Sequence, residues 1–129
     1  MTWKIKILAA WERQLDRYEN PRIGEPYCSP YTCELCKITK RCIPCPLYLK
    51  YSHDFLSLDI FCSGFNSYEK VFKILGNNGI LHELTPEIKK AFTARAVFYR
   101  KYLPILKSLP AYRFTPSGFR GFPELNRED

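Results

Sequence analysis

No apolar stretch in the sequence approaches the roughly 18–20 residues that a helix needs to cross a bilayer, so no membrane-spanning helix is expected. Histidine is scarce, with two in 129 residues. His82-Glu83 has no second histidine four positions on, which excludes the helical zinc-protease motif. A glycine-rich phosphate loop, a paired-carboxylate motif and a nucleophile–base pattern are missing as well. Neighbours such as His53-Asp54 have suitable chemistry, but adjacency in the chain does not build a site. The N-terminus is basic and then apolar from Met1 to Trp11, but Glu12-Arg13-Gln14 cut that run short, making a poor signal peptide. These gaps point away from an enzyme and towards a cytoplasmic protein, where thiols stay reduced.

What the sequence does have is clustered cysteine. All six lie between Cys28 and Cys62. The centre reads Cys33-Glu-Leu-Cys36, five residues, then Cys42-Ile-Pro-Cys45-Pro46, and Cys62 follows Cys45 after sixteen intervening residues. A Cys-x-x-Cys step lets two thiolates converge on one ion, and two such pairs this close point to a structural metal site. The candidate ligands are Cys33, Cys36, Cys42, Cys45 and Cys62, of which a tetrahedral Zn²⁺ takes four, with Cys28 and His53 in reserve. Four protein thiolates leave no open position for substrate, which again favours a binding module over catalysis. An iron–sulfur cluster is the competing cofactor. The ferredoxin run spaces its cysteines by two, two and three residues, whereas here the gaps are two, five and two. A disulfide framework is the third solution, and the poor signal peptide weighs against it.

Length suits one domain that gains from a staple. The aromatic share is high at 16%, and the formal charge is +7. Residues 3 to 19 carry Leu8, Trp11, Leu15 and Tyr18 at spacings of three and four, predicting an amphipathic helix stopped at Asn20-Pro21. Prolines 21, 26 and 30 with Gly24 mark an irregular connection. Lys37 to Arg41 reads as a tight loop or short hairpin, Leu47 to Tyr51 as a short helix or an extended run, and Ser52 to Ile60 as a loop with a turn or two of helix. Ser67 to Leu75 predicts a helix stopped at Gly76. Thr85, Pro86 and Glu87 mark the start of a long helix, and Pro104 is expected to kink or end it. Its predicted apolar stripe is Ile88, Phe92, Ala96, Tyr99, Leu103 and Leu106, with Ala91, Ala94, Phe98 and Ile105 beside it.

The expected architecture is therefore mainly α, with a small α+β variant open. It is a helical domain over residues 1–109 built around a cysteine zinc knuckle, followed by a tail over 110–129. In that tail Phe114, Phe119 and Phe122 either lie back on the domain or present a peptide to a partner.

The order Trp11 to Tyr18, Cys33/Cys36, Cys42-Ile43-Pro44-Cys45-Pro46, Cys62-Ser63-Gly64 and Phe98 to Pro104 resembles small, largely uncharacterised proteins of bacteriophages and related mobile elements. It spans most of the first hundred residues and departs at Cys28, at Pro44 and after Pro110. The resemblance implies a cysteine metal site and a viral origin, hence the host cytoplasm, and supplies no activity. The function expected is a zinc-stabilised, non-enzymatic protein that binds a host or viral protein. The alternatives are a nucleic-acid-binding zinc protein, using Lys89, Lys90, Arg100, Lys101 and Lys107, and a small iron–sulfur redox protein.

Overall fold

The computed structural model describes residues 2–27, 33–39, 46, 49–53, 56–60, 65–76, 79–115, 122, 124 and 125, with residues 49–53 and 56–60 described by their backbone. Among them the architecture is mainly helical. The elements in chain order are α1 (Trp3–Glu19), α2 (Glu34–Thr39), β1 (Leu49–His53), β2 (Leu56–Ile60), α3 (Asn66–Leu75), α4 (Pro86–Ser108) and one 3₁₀ turn (Ala111–Arg113).

Local chemistry sets the two long helices. The Thr2 hydroxyl accepts the Ile5 N–H at 3.3 Å, satisfying one of the amides a helix start leaves open. Asn20 ends α1, its N–H reaching the Asp16 carbonyl at 2.8 Å. Thr85 caps α4 through the Ile88 N–H at 3.2 Å, and Pro86 occupies the first turn, where it needs no donor. At the far end of α4 the Lys4 ammonium of α1 donates to the carbonyls of Lys107 (2.8 Å) and Leu109 (2.7 Å). A cation there answers the negative end of the helix dipole and ties α1 to α4. Gly76 closes α3 at φ 80, a conformation that favours glycine.

The core is an aromatic wedge between α1 and α4. Trp11, Tyr18, Phe92, Phe98, Tyr99 and Tyr102 are buried there, with Phe65 and Tyr27 packed in from the connections. Tyr18 meets Phe92 edge-on at 5.4 Å, and Phe65 meets Phe98 at 5.1 Å. Edge contacts of this kind align the positive ring rim with a negative face. The connection after α1 is tied to the one before α4 by Gly24 N–H to the Leu81 carbonyl (2.7 Å) and Tyr27 N–H to the Gly79 carbonyl (2.8 Å).

Several expectations are corrected. Lys37 to Thr39 belong to α2 rather than to a loop, because the Lys37 N–H closes the first helical turn on the Cys33 carbonyl at 3.0 Å. Lys40 and Arg41 lie outside the described residues. Ser52 to Ile60 contains strand rather than helix: β1 and β2 pair antiparallel, with Leu49 opposite Ile60 and His53 opposite Leu56. Pro104 does not end α4, which runs on to Ser108. The buried face of α1 is Ile7, Ala10, Trp11, Gln14, Leu15 and Tyr18, and Leu8 lies at its margin. In α4 the buried set contains Arg95 and Tyr102, while Ile88, Leu103 and Ile105 only flank the core.

From the 110–129 segment, Phe114, Phe122 and Leu125 join the same buried cluster. Arg113 reaches both carboxylate oxygens of Glu124, at 2.8 and 3.1 Å, and lies over the Phe122 ring at 5.4 Å. Phe119 is outside the described residues.

Candidate metal centre

The described part of the cysteine segment rests on Gln14 of α1. This side chain is 2% exposed, and its Oε1 accepts the Glu34 N–H at 3.0 Å and an Arg17 N–H at 3.4 Å. The Glu34 amide is one of the four at the start of α2 that have no acceptor within the helix. A glutamine from a neighbouring helix therefore fixes where α2 begins. Leu35, fully buried, anchors the same turn to the core, and the Thr39 hydroxyl donates to the Leu35 carbonyl at 2.9 Å. Beside them, Glu34 lies 3.4 Å from both Arg13 and Lys37.

Cys33 holds the N-cap position of α2. Its carbonyl takes the first helical hydrogen bond, and its sulfur accepts from the backbone N–H groups of Cys36 and Leu35. That is the role an Asp or Ser oxygen usually plays. The Cys36 side chain also hydrogen-bonds the Cys33 sulfur, and this is the largest cause of a Cys33 pKa drawn down from 9.0 to about 6. Burial pushes the other way, while the two backbone amides and the Arg95 guanidinium add to the fall. The shift favours the Cys33 thiolate, the form that binds metal and reacts as a nucleophile. Both Cys33 and Cys36 carry thiols and are half-buried.

Arg95 is the functional candidate that the sequence did not single out. It is 1% exposed on the inner face of α4. Its guanidinium donates to the Ser67 hydroxyl and to the Tyr99 hydroxyl, each at 3.0 Å. The ring centroids of Tyr99, Phe98 and Tyr68 lie 4.7, 5.0 and 5.5 Å from it. The available signal was its position, three residues after Phe92 and four before Tyr99, on the apolar stripe itself.

Of the predicted ligands, Cys33 and Cys36 are brought together. Cys28, Cys42, Cys45 and Cys62 lie outside the described residues, and His53 is described only as backbone in β1. Among the described residues no group of three or more His, Cys, Asp or Glu side chains is gathered around a metal position. The two thiols present fit half of a zinc thiolate set in residue type and in the thiolate character of Cys33.

The five basic residues of α4 expected to serve nucleic acid do not form one uncompensated patch. Arg100 is paired with Glu19, Lys107 lies 3.5 Å from Glu12, and Lys101 sits 5.3 Å from the Tyr102 ring centre. Lys89 and Lys90 are exposed on the early turns. A groove of about 760 Å³ runs along the outer side of α1 towards α2, and its lining mixes signs: Glu12, Asp16 and Glu34 against Arg13, Arg17 and Lys37. Such a lining has no preference for an anion. Among the described residues no helix is long and apolar enough to cross a membrane. No known protein family, curated protein or solved structure matches the chain.

Proposed function

We propose that the chain is a non-enzymatic interaction protein whose fold is stapled by Zn²⁺ on cysteine thiolates. Cys33 and Cys36 supply half of the ligand set, and two of Cys42, Cys45 and Cys62 supply the other half. One observation carries this reading: Cys33 and Cys36 stand side by side at the start of α2, and the hydrogen bond between them, with two backbone amides, draws the Cys33 pKa down towards the thiolate form that metal binds. Zinc, when bound, would supply no chemistry beyond cross-linking, because four thiolates leave no position for substrate. The compartment that suits such a site is a reducing cytoplasm, that of the host if the chain is viral. A protein partner is favoured over nucleic acid, since Arg100 and Lys107 are engaged with carboxylates of α1. The loss of affinity with salt that phosphate contacts produce would then be small.

Elemental analysis of freshly purified, reduced protein tests the staple. About one zinc per chain is expected, with release by a chelator causing loss of helical circular dichroism. Cys33→Ser and Cys36→Ser should each leave the chain largely unfolded. A folded preparation without stoichiometric metal would end the reading, as would cooperative unfolding of both variants at the wild-type midpoint. Visible colour with bound iron would transfer the site to the iron–sulfur alternative. Tight, steeply salt-dependent binding to nonspecific DNA or RNA would reverse the choice of partner.

A further inference from the structure

After α4 the chain lays a short turn back on itself. The Leu125 N–H closes on the Phe122 carbonyl at 3.0 Å, and both Phe122 and Leu125 are buried. Glu124, between them, meets the Arg113 guanidinium with both oxygens, at 2.8 and 3.1 Å, the two-pronged geometry by which arginine recognises a carboxylate. The Phe114 and Phe122 rings pack with centroids 5.0 Å apart, and the Lys4 ammonium of α1 lies 5.9 Å from the Phe114 ring centre. The hold on this turn is slight. Among its described residues two side chains leave water, a gain that ordering the turn largely offsets. The ion pair is 24% and 30% exposed, where such pairs contribute little. Large apolar residues also stay open next to it in the chain. Tyr112, the neighbour of Arg113, is 76% exposed, and Ile5, the neighbour of Lys4, is 52% exposed.

We propose that Arg113, Phe114 and the start of α1 form a peptide seat, filled within the chain by residues 122–125 and filled on binding by a partner protein that presents a turn of the same chemistry. That chemistry is an aromatic residue, a carboxylate two positions on and a leucine directly after it. The inference rests on the interaction-protein reading above and gives it a contact surface, and it does not depend on the metal. The seat specifies its ligand on three counts. Phe114 offers a ring to pack on, the Arg113 fork selects a carboxylate over an amide or a cation, and the buried cluster accepts the leucine. Exposed Tyr112 is of a residue type that anchors protein interfaces, as is Arg113 itself. The chain's own turn covers the seat until a partner displaces it, so the fraction of open seats sets the apparent affinity.

Fluorescence anisotropy of a labelled peptide of residues 121–129, added to the full chain, tests this. Phe122→Ala combined with Leu125→Ala removes the two buried side chains of the chain's own turn and leaves the seat intact. That double variant is expected to bind the peptide roughly tenfold or more tightly than wild type, whose seat is already occupied. A peptide carrying Glu124→Arg should lose the binding, and Arg113→Glu added to the double variant should restore it for that peptide alone. A folded double variant that ignores the peptide would overturn the proposal. Equal affinities for double variant and wild type, or for the two peptides, would do the same. Should the double variant not fold, Glu124→Arg in the full chain opens the contact at a partly exposed side chain. It must then bind the unmodified peptide more tightly than wild type does, and an equal value would overturn the proposal as well. A wild-type chain that dimerises with rising concentration, and that the peptide returns to monomer, would make a second copy the occupant and overturn the choice of partner. A chain that holds zinc and ignores the peptide would remove this inference alone. A chain that binds the peptide and holds no metal would remove the zinc staple and leave the seat standing.

Discussion

Trp11 and Tyr99 meet twice. The indole N–H of Trp11 donates to the Tyr99 carbonyl at 2.8 Å, and the two rings stand edge to face with centroids 4.6 Å apart. The contact joins the middle of α1 to the middle of α4, at residues that are both fully buried. Because Trp11 combines the largest buried side chain with a fixed polar handle, it determines the relative placement of the two helices. Trp11→Ala is expected to cost about 3–5 kcal/mol, the usual range for emptying a large aromatic site. Set against a typical domain stability of roughly 5–15 kcal/mol, that leaves a chain near its unfolding threshold at room temperature. Urea denaturation followed by far-UV circular dichroism measures it, and a midpoint equal to wild type would show that the two helices are held elsewhere.

Gln14 makes a narrower prediction. Its amide oxygen serves the Glu34 N–H, so Gln14→Leu keeps the volume and leaves that amide without its acceptor. A stranded buried donor costs about 1–3 kcal/mol. The loss should be local to α2 in hydrogen exchange, with Glu34 and Leu35 losing protection before the amides of α4. Gln14→Glu retains an acceptor and should preserve much of the protection. Equal exchange at Glu34 in wild type and Gln14→Leu would exclude this role for Gln14.

These two cases show what was legible in the sequence. The caps at Thr85 and Pro86, the stop at Asn20 and the glycine at 76 act through neighbouring backbone, so residue identity and spacing suffice to place α1, α3 and α4. The strand pair was missed: Leu56-Ser57-Leu58-Asp59-Ile60 alternates with the period of a sheet, but five residues are too few to tell a strand from a loop with a turn of helix. Helix α2 is six residues long, too short for a 3.6-residue repeat to show, and it begins on an acceptor twenty residues away in sequence. Cys33 as a cap and Arg95 as a core residue depend on tertiary neighbours. Counting residue types assigns the first to metal alone and the second to solvent. The Cys-x-x-Cys signal pointed to the candidate site; the acceptor on α1 that fixes where α2 begins became visible only in the fold.

The Arg113–Glu124 pair predicts a pH dependence. The hydrogen bond from Arg113 holds the Glu124 carboxyl below its ordinary pKa of 4.5, against a smaller opposing effect of burial. A carboxyl whose folded pKa is depressed binds fewer protons in the folded state than in the unfolded one. Its contribution is therefore present above the unfolded value and is lost as pH falls through the lowered folded value. Docking of Phe122 and Leu125 should weaken over that acid range. Glu124→Gln should lower the thermal midpoint at pH 7 by the equivalent of about 1 kcal/mol or less, as for a partly exposed ion pair. It should also flatten the decline between about pH 5 and pH 3. An acid profile of Glu124→Gln parallel to that of wild type would refute the assignment.

Pro104 offers the opposite sign. It sits inside α4 with its ring exposed, four residues after Arg100, and so cannot donate to the Arg100 carbonyl as the helix repeat requires. The helix nevertheless continues for another turn, because Leu106 is fully buried and the Lys4 ammonium holds the Lys107 and Leu109 carbonyls. The last turn is therefore stabilised from outside the helix, against the preference of its own residue 104. Alanine at this position restores a donor without filling or emptying the core. Proline in a helix interior is less favourable than alanine by about 3 kcal/mol, which sets the upper limit of the gain. Pro104→Ala is expected to raise the urea midpoint, and combining it with Lys4→Met should show the coupling. The lysine should matter less once the helix carries its own hydrogen bond. A Pro104→Ala variant less stable than wild type would mean that the proline ring itself is needed at this position, and that the missing donor is not the dominant effect.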